Sequence, residues 1–136
     1  RMHKRQGSIS NYKGDWISIH QYKGKPYAYF PSESYYNLFL SISDSTIVMN
    51  DFNDGMVTYL INKVHRKKRE INFQLVNDAG IEHTLSLRLN GNGIFEVKSS
   101  FLNNKETSMV KRNTFFEFPI IVNYCPGYRC QEFDFK

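Results

Sequence analysis

The chain is 136 residues long, enough for one domain with its own core, and its 40% hydrophobic content excludes wholesale disorder. An aromatic share of 15%, from eleven Phe, nine Tyr and one Trp, favours pleated surfaces and points to β structure. The net charge of +5 is gathered in His3-Lys4-Arg5 and Arg66-Lys67-Lys68-Arg69, with no nucleic-acid reader motif around either, so no nucleic-acid partner is expected.

Residues 1–12 carry no periodic pattern and are expected to be a flexible N-terminal lead-in, with residues 13–136 forming a single β domain. No apolar run of signal-peptide type is legible there, and none anywhere approaches the ~20 residues of a membrane helix, so no transmembrane segment is expected. Residues 15–22 read as the first strand, with Trp16, Ser18, His20 and Tyr22 on one face and Ile17 and Ile19 on the other. Lys23-Gly24-Lys25-Pro26 turns it, residues 27–30 make a short second strand, and Pro31-Ser32-Glu33-Ser34 breaks the pattern. Leu38, Leu40 and Ile42 then alternate in a clean strand.

From residue 46 to residue 113 one strand follows another through turns too short for a helix: Asp54-Gly55, Asp78-Ala79-Gly80, Asn90-Gly91-Asn92-Gly93 and Asn103-Asn104. Asp-Gly between apolar segments is a strong hairpin signal, because both turn positions tolerate positive φ. Ile71, Phe73 and Leu75 share one face of their strand, Leu85, Leu87 and Leu89 of the next, and Phe95, Val97, Ser99 and Phe101 of the third. Residues 107–112 form a more polar strand, and residues 115–122 and 131–135 are two further strand-like stretches. An open sheet this long would leave two hydrogen-bonding edges bare. The expected fold is therefore all-β, an antiparallel up-and-down meander closing into a barrel of eight to ten strands.

Cys125 and Cys130 flank Pro126-Gly127-Tyr128-Arg129, where Pro-Gly favours a type II turn that brings the two thiols within bonding range. A disulfide is expected there, contributing about 2 kcal/mol at most, with two buried reduced thiols as the alternative. The bridge would imply an oxidising compartment: periplasm, cell surface or outside.

Gly14-Asp15-Trp16 on the first strand, the meander after it and Lys111-Arg112 on a late strand resemble the lipocalin-like branch of the calycins. The nearer likeness is to compact bacterial lipocalin-like domains. The resemblance implies a barrel that holds a small hydrophobic ligand, and exported or lipid-anchored placement in the bacterial envelope. It also implies that Trp16, with Arg112 or Lys111 stacked over it, forms the barrel floor, a structural role.

The chemistry-bearing residues point away from catalysis. His20, His65 and His83 fall on separate strands without ligand spacing, so no metal is expected. Asp44, Asp51, Asp54 and Asp78 are turn residues, no serine lies in a Gly-x-Ser-x-Gly elbow, and no glycine loop cradles a phosphate. Neither enzymatic activity nor a cofactor is expected. The suggestive cluster is the irregular tyrosine-rich stretch, where Tyr22, Tyr27, Tyr29 and Tyr35 would border the barrel mouth. Two functions fit. In the first, those rings cap an apolar cavity lined by Leu40, Phe73, Leu87 and Phe95. In the second, the chain is an exported protein-binding module, such as an inhibitor or a toxin-immunity protein. An open cavity would favour the first and a packed interior the second. The sequence carries no indication of oligomeric state.

Overall fold

A computed structural model describes residues 9–30, 37–51, 55–90, 93–122 and 135. Cys125, Cys130 and Tyr35 lie outside the described residues. Alternating apolar residues fold into eight barrel strands: β1 (Gly14–Ser18), β4 (Phe39–Ile42), β5 (Thr46–Asp51), β6 (Gly55–Arg66), β7 (Glu70–Val76), β8 (Glu82–Leu89), β9 (Phe95–Ser99) and β10 (Thr107–Lys111). From β4 to β10 every strand pairs antiparallel with its chain neighbour, and β1 closes the ring by pairing with β10 on one side and β4 on the other. The all-β, closed antiparallel barrel expected from the sequence is the observed architecture, with eight strands.

Turn chemistry fixes the hairpins where the sequence places it. Gly55 at φ 79° and Gly80 at φ 80° occupy the left-handed region that a side chain would disfavour. The long strand β6 carries a register shift between Ile61 and Lys63, a bulge-type irregularity that bends a strand and strengthens its twist.

Three smaller strands complete the molecule. β2 (His20–Tyr22) and β3 (Lys25–Phe30) form a hairpin in the excursion between β1 and β4, and β11 (Ile120–Val122) adds to β3 in parallel. The expected first strand over residues 15–22 is thus two strands, broken at Ile19, the first in the barrel and the second in a side sheet. Trp16, Ile17, Ser18 and Ile19 are all buried, so polarity does not alternate where the chain leaves the barrel wall. The strand expected over residues 115–122 is also corrected: residues Arg112–Glu117 form a 3-10 helix, and β11 follows it.

Two cores result. Inside the barrel lie Leu40, Ile47, Ile71, Phe73, Leu85, Leu87, Val97 and Met109. Outside it, the opposite pleat of β1 and β10 presents Ile17 and Val110 to Ile19, Ala28, Ile94 and Phe115, so the side sheet and the 3-10 helix cover that stretch of wall. Full burial of such a side chain stabilises by about 1.5–3 kcal/mol, so the larger inner core contributes the greater share of the fold's stability. Residues 9–12, at the end of the stretch expected to be a lead-in, pack against the barrel. Ser10–Tyr12 form a 3-10 turn, and Ile9 and Tyr12 are buried in the inner core. Their spacing of three puts both on one side of that turn. Among the described residues no helix is long and apolar enough to cross a membrane.

Candidate functional site

The residues nominated by the sequence fall in three places. Leu40, Phe73 and Leu87 point into the barrel, and Phe73, Leu85 and Leu87 are 0% exposed, so no water-sized space touches them. These side chains are the filling of the barrel. Eight strands enclose a bore that side chains can fill or that can hold one small ligand, and around Phe73 and Leu87 it is filled.

Phe95, half-buried, belongs to an aromatic stack at one end. The Trp16 Nε1–H donates to the Tyr12 carbonyl at 2.9 Å. Phe95 meets Trp16 edge-to-face at 5.1 Å and Tyr12 at 5.8 Å. Lys111, directly opposite Trp16 in the β1–β10 register, holds its ammonium 5.8 Å from the Trp16 ring centroid. The cation beside the Trp16 ring is therefore Lys111. Arg112 lies beyond the end of β10, opens the 3-10 helix and is exposed, so the floor role offered to it passes to its neighbour.

Of the tyrosines expected at the barrel mouth, three are described, and they lie in the side sheet. Tyr22, Tyr27 and Tyr29 stand on the side sheet, which packs along the outer wall of β1 and β10. Tyr29 is buried, at 1% exposure, so it has no free face to offer. Phe135 stacks on His20 at 4.7 Å and meets Tyr29 at 4.9 Å, so its ring lies against this sheet. The Asn37 amide joins the cluster: its Nδ2 donates to the Tyr29 carbonyl at 2.8 Å, and its Oδ1 lies 2.9 Å from His20 Nε2. With the amide so oriented, Oδ1 can only accept, and His20 carries its proton on Nε2. Burial holds the His20 pKa below the ordinary histidine value of 6.5, against the opposing pull of the Asn37 hydrogen bond. A lowered folded-state pKa means that the proton prefers the unfolded chain. The His20 contribution is intact above pH 6.5 and is lost as pH falls through the lowered value. Urea midpoints should accordingly fall between about pH 7.5 and about pH 5, and less steeply in His20→Gln. Equal slopes in the two proteins would show that His20 is not the group responsible. Among the described residues no three of His, Cys, Asp and Glu come together.

A feature absent from the sequence reading lies on the outer face of β1, β4, β5 and β6. Two adjoining depressions of about 480 and 400 Å³ share Asp15 and Arg112 as walls. The first is bordered by Lys13, Lys111 and Phe116, and the second by Phe39, Val48, Asn50 and Met56. The outward pleat of these strands is the phase expected to be polar, yet Met56 on β6 is 69% exposed, and Phe116 of the bordering 3-10 helix is 64% exposed. The Ser41 hydroxyl donates to the Asp15 carboxylate at 2.9 Å, and Lys13 is ion-paired with Asp44 at 2.8 Å. Asn50 Oδ1 is buried with no hydrogen-bond partner among the described residues. One signal was present in the sequence: Ile47-Val48-Met49 is apolar in both phases, although β5 needs only one for the core.

No family model matches the chain, and no curated protein matches it in sequence. Among solved structures it is similar to the crystal structure of Treponema pallidum Tp0751 (pallilysin), with a TM-score of 0.51 and 11% identity over 81% of this chain and 96% of that chain. At that identity the likeness is one of fold alone.

Proposed function

We propose that this chain is a non-catalytic protein-binding module, a lipocalin-like barrel whose interior is structural and whose working surface is external. One observation carries the reading: Phe73, Leu85 and Leu87 have no exposed surface, which leaves no room among them for a ligand. Trp16 packed beneath the Lys111 ammonium at one end of a closed meander supports the lipocalin-like part. Exposed Met56 and Phe116 around the outer depressions, beside Arg112, support the binding part, since Met, aromatic residues and Arg are enriched at protein interfaces. The same reading would put the protein in an oxidising compartment of the bacterial envelope, on the strength of the sequence alone, in which Cys125 and Cys130 flank Pro126-Gly127.

The test pairs two measurements on the native protein. Titration with an apolar fluorescent probe and a long-chain fatty acid is expected to give no saturable one-to-one binding. Cross-linking in the source cell is expected to capture a protein through residues bordering the outer depressions. Saturable fatty-acid binding that shifts the NMR signals of Phe73 and Leu87 would overturn the reading in favour of a ligand carrier.

A further inference from the structure

We infer that the paired outer depressions receive an acidic segment of a partner protein that also carries an apolar side chain, a proposal that rests on the protein-binding reading above. The basis is the side-by-side placement of a cationic and an apolar surface. Lys13, Lys111 and Arg112 line one depression against a single carboxylate, Asp15. Asp15 accepts the Ser41 hydroxyl, and Asp44 answers Lys13. The Lys111 ammonium lies beside the Trp16 ring, and neither it nor Arg112 makes an ion pair among the described residues. A carboxylate arriving here meets two cations without a carboxylate of their own, in a chain whose net charge is +5.

The second depression supplies the other half of the recognition. Val48, Phe39 and the exposed Met56 make its apolar surface, and Asn50 stands in its wall with a buried carbonyl oxygen that lacks a donor among the described residues. A buried acceptor without a partner is uncommon and costly, and an N–H from a bound segment is the kind of donor that would satisfy it. Arg112 belongs to both depressions, so one short segment can engage the cationic and apolar parts together. Electrostatic complementarity then sets orientation and on-rate, while the apolar anchor sets residence time.

Selection of a phage-displayed library of random peptides of about twelve residues against the whole folded chain tests this, because it assumes no partner sequence. The expected result is a consensus with Asp or Glu beside Phe, Leu or Met. Binding of a selected peptide should weaken with added salt and drop at least roughly tenfold in Arg112→Glu and in Met56→Ser, the scale of an interface hot spot. Circular dichroism of both variants, whose side chains are exposed, checks that the barrel is intact. A basic or neutral consensus, the absence of any consensus, or binding unchanged in both variants would overturn the proposal. Peptides that bind another face would overturn it while leaving the protein-binding reading standing. Occupation of the barrel interior by the fatty acid would remove that reading itself.

Discussion

Replacing Trp16 with alanine is expected to lower the free energy of unfolding by roughly 3–5 kcal/mol, the range for emptying a large buried aromatic site. Three separate losses contribute. The side chain is 1% exposed, so its removal leaves a void in the inner core. The edge-to-face contact with Phe95 disappears, and so does the ring beneath the Lys111 ammonium. The Tyr12 carbonyl loses its donor, which loosens the 3-10 turn that carries Ile9 and Tyr12 into the barrel end. Trp16→Phe keeps much of the volume without the Nε1–H and should fall between alanine and the parent. Denaturant titration of the three proteins checks the order, and a loss below about 1 kcal/mol for the alanine variant would show that Trp16 does not close the barrel.

Phe73→Ala should cost a similar 3–5 kcal/mol and, more informatively, should create a property that the parent lacks. Phe73 is 0% exposed and lies opposite Leu85 on β8 and Val64 on β6, so truncation leaves an apolar hole with no polar group to hold water. Holes of that kind stay dry and take up benzene. The variant should therefore be re-stabilised by benzene in a thermal melt while the parent is unmoved. If benzene stabilises the parent equally, the interior already contains a ligand-sized space, and the assignment of the working surface to the outside is wrong.

The barrel was legible in the sequence because its information is local. Asp54-Gly55 and Asp78-Ala79-Gly80 mark turns between strands that are also chain neighbours, and the phase of Ile71, Phe73 and Leu75 assigns the core face directly. The errors have physical causes of another kind. Tyr12 was hidden because a three-residue 3-10 turn leaves no periodicity to detect. The side sheet was hidden because β3 finds its partner β11 about ninety residues away, a pairing that no local pattern encodes. Lys111 and Arg112 differ by one residue, and only the register that sets Lys111 opposite Trp16 separates them. Burial of Phe73 and Leu87 was legible, but whether a barrel is filled depends on how side chains from all eight strands meet. The outer depressions were missed for the same reason that they are informative. Val48 and Met56 satisfy a strand pattern, and only the closed wall reveals that they face away from the core.

Closure of the ring through β1 also constrains how the protein is made. Strands β4 to β9 can pair as they leave the ribosome, each with the strand just synthesised, but β1 has no second partner until β10, about ninety residues later, has been made. Throughout that interval the nascent sheet has open sides, the condition under which neighbouring chains on one polysome can pair with each other. The run Arg66-Lys67-Lys68-Arg69 spans the end of β6 and the turn into β7, in the middle of the growing sheet; every one of its residues is exposed, with the Arg66 guanidinium 5.4 Å from the Tyr12 ring centroid. Four adjacent positive charges repel the same four on a neighbouring chain, which opposes side-by-side pairing of two unfinished sheets.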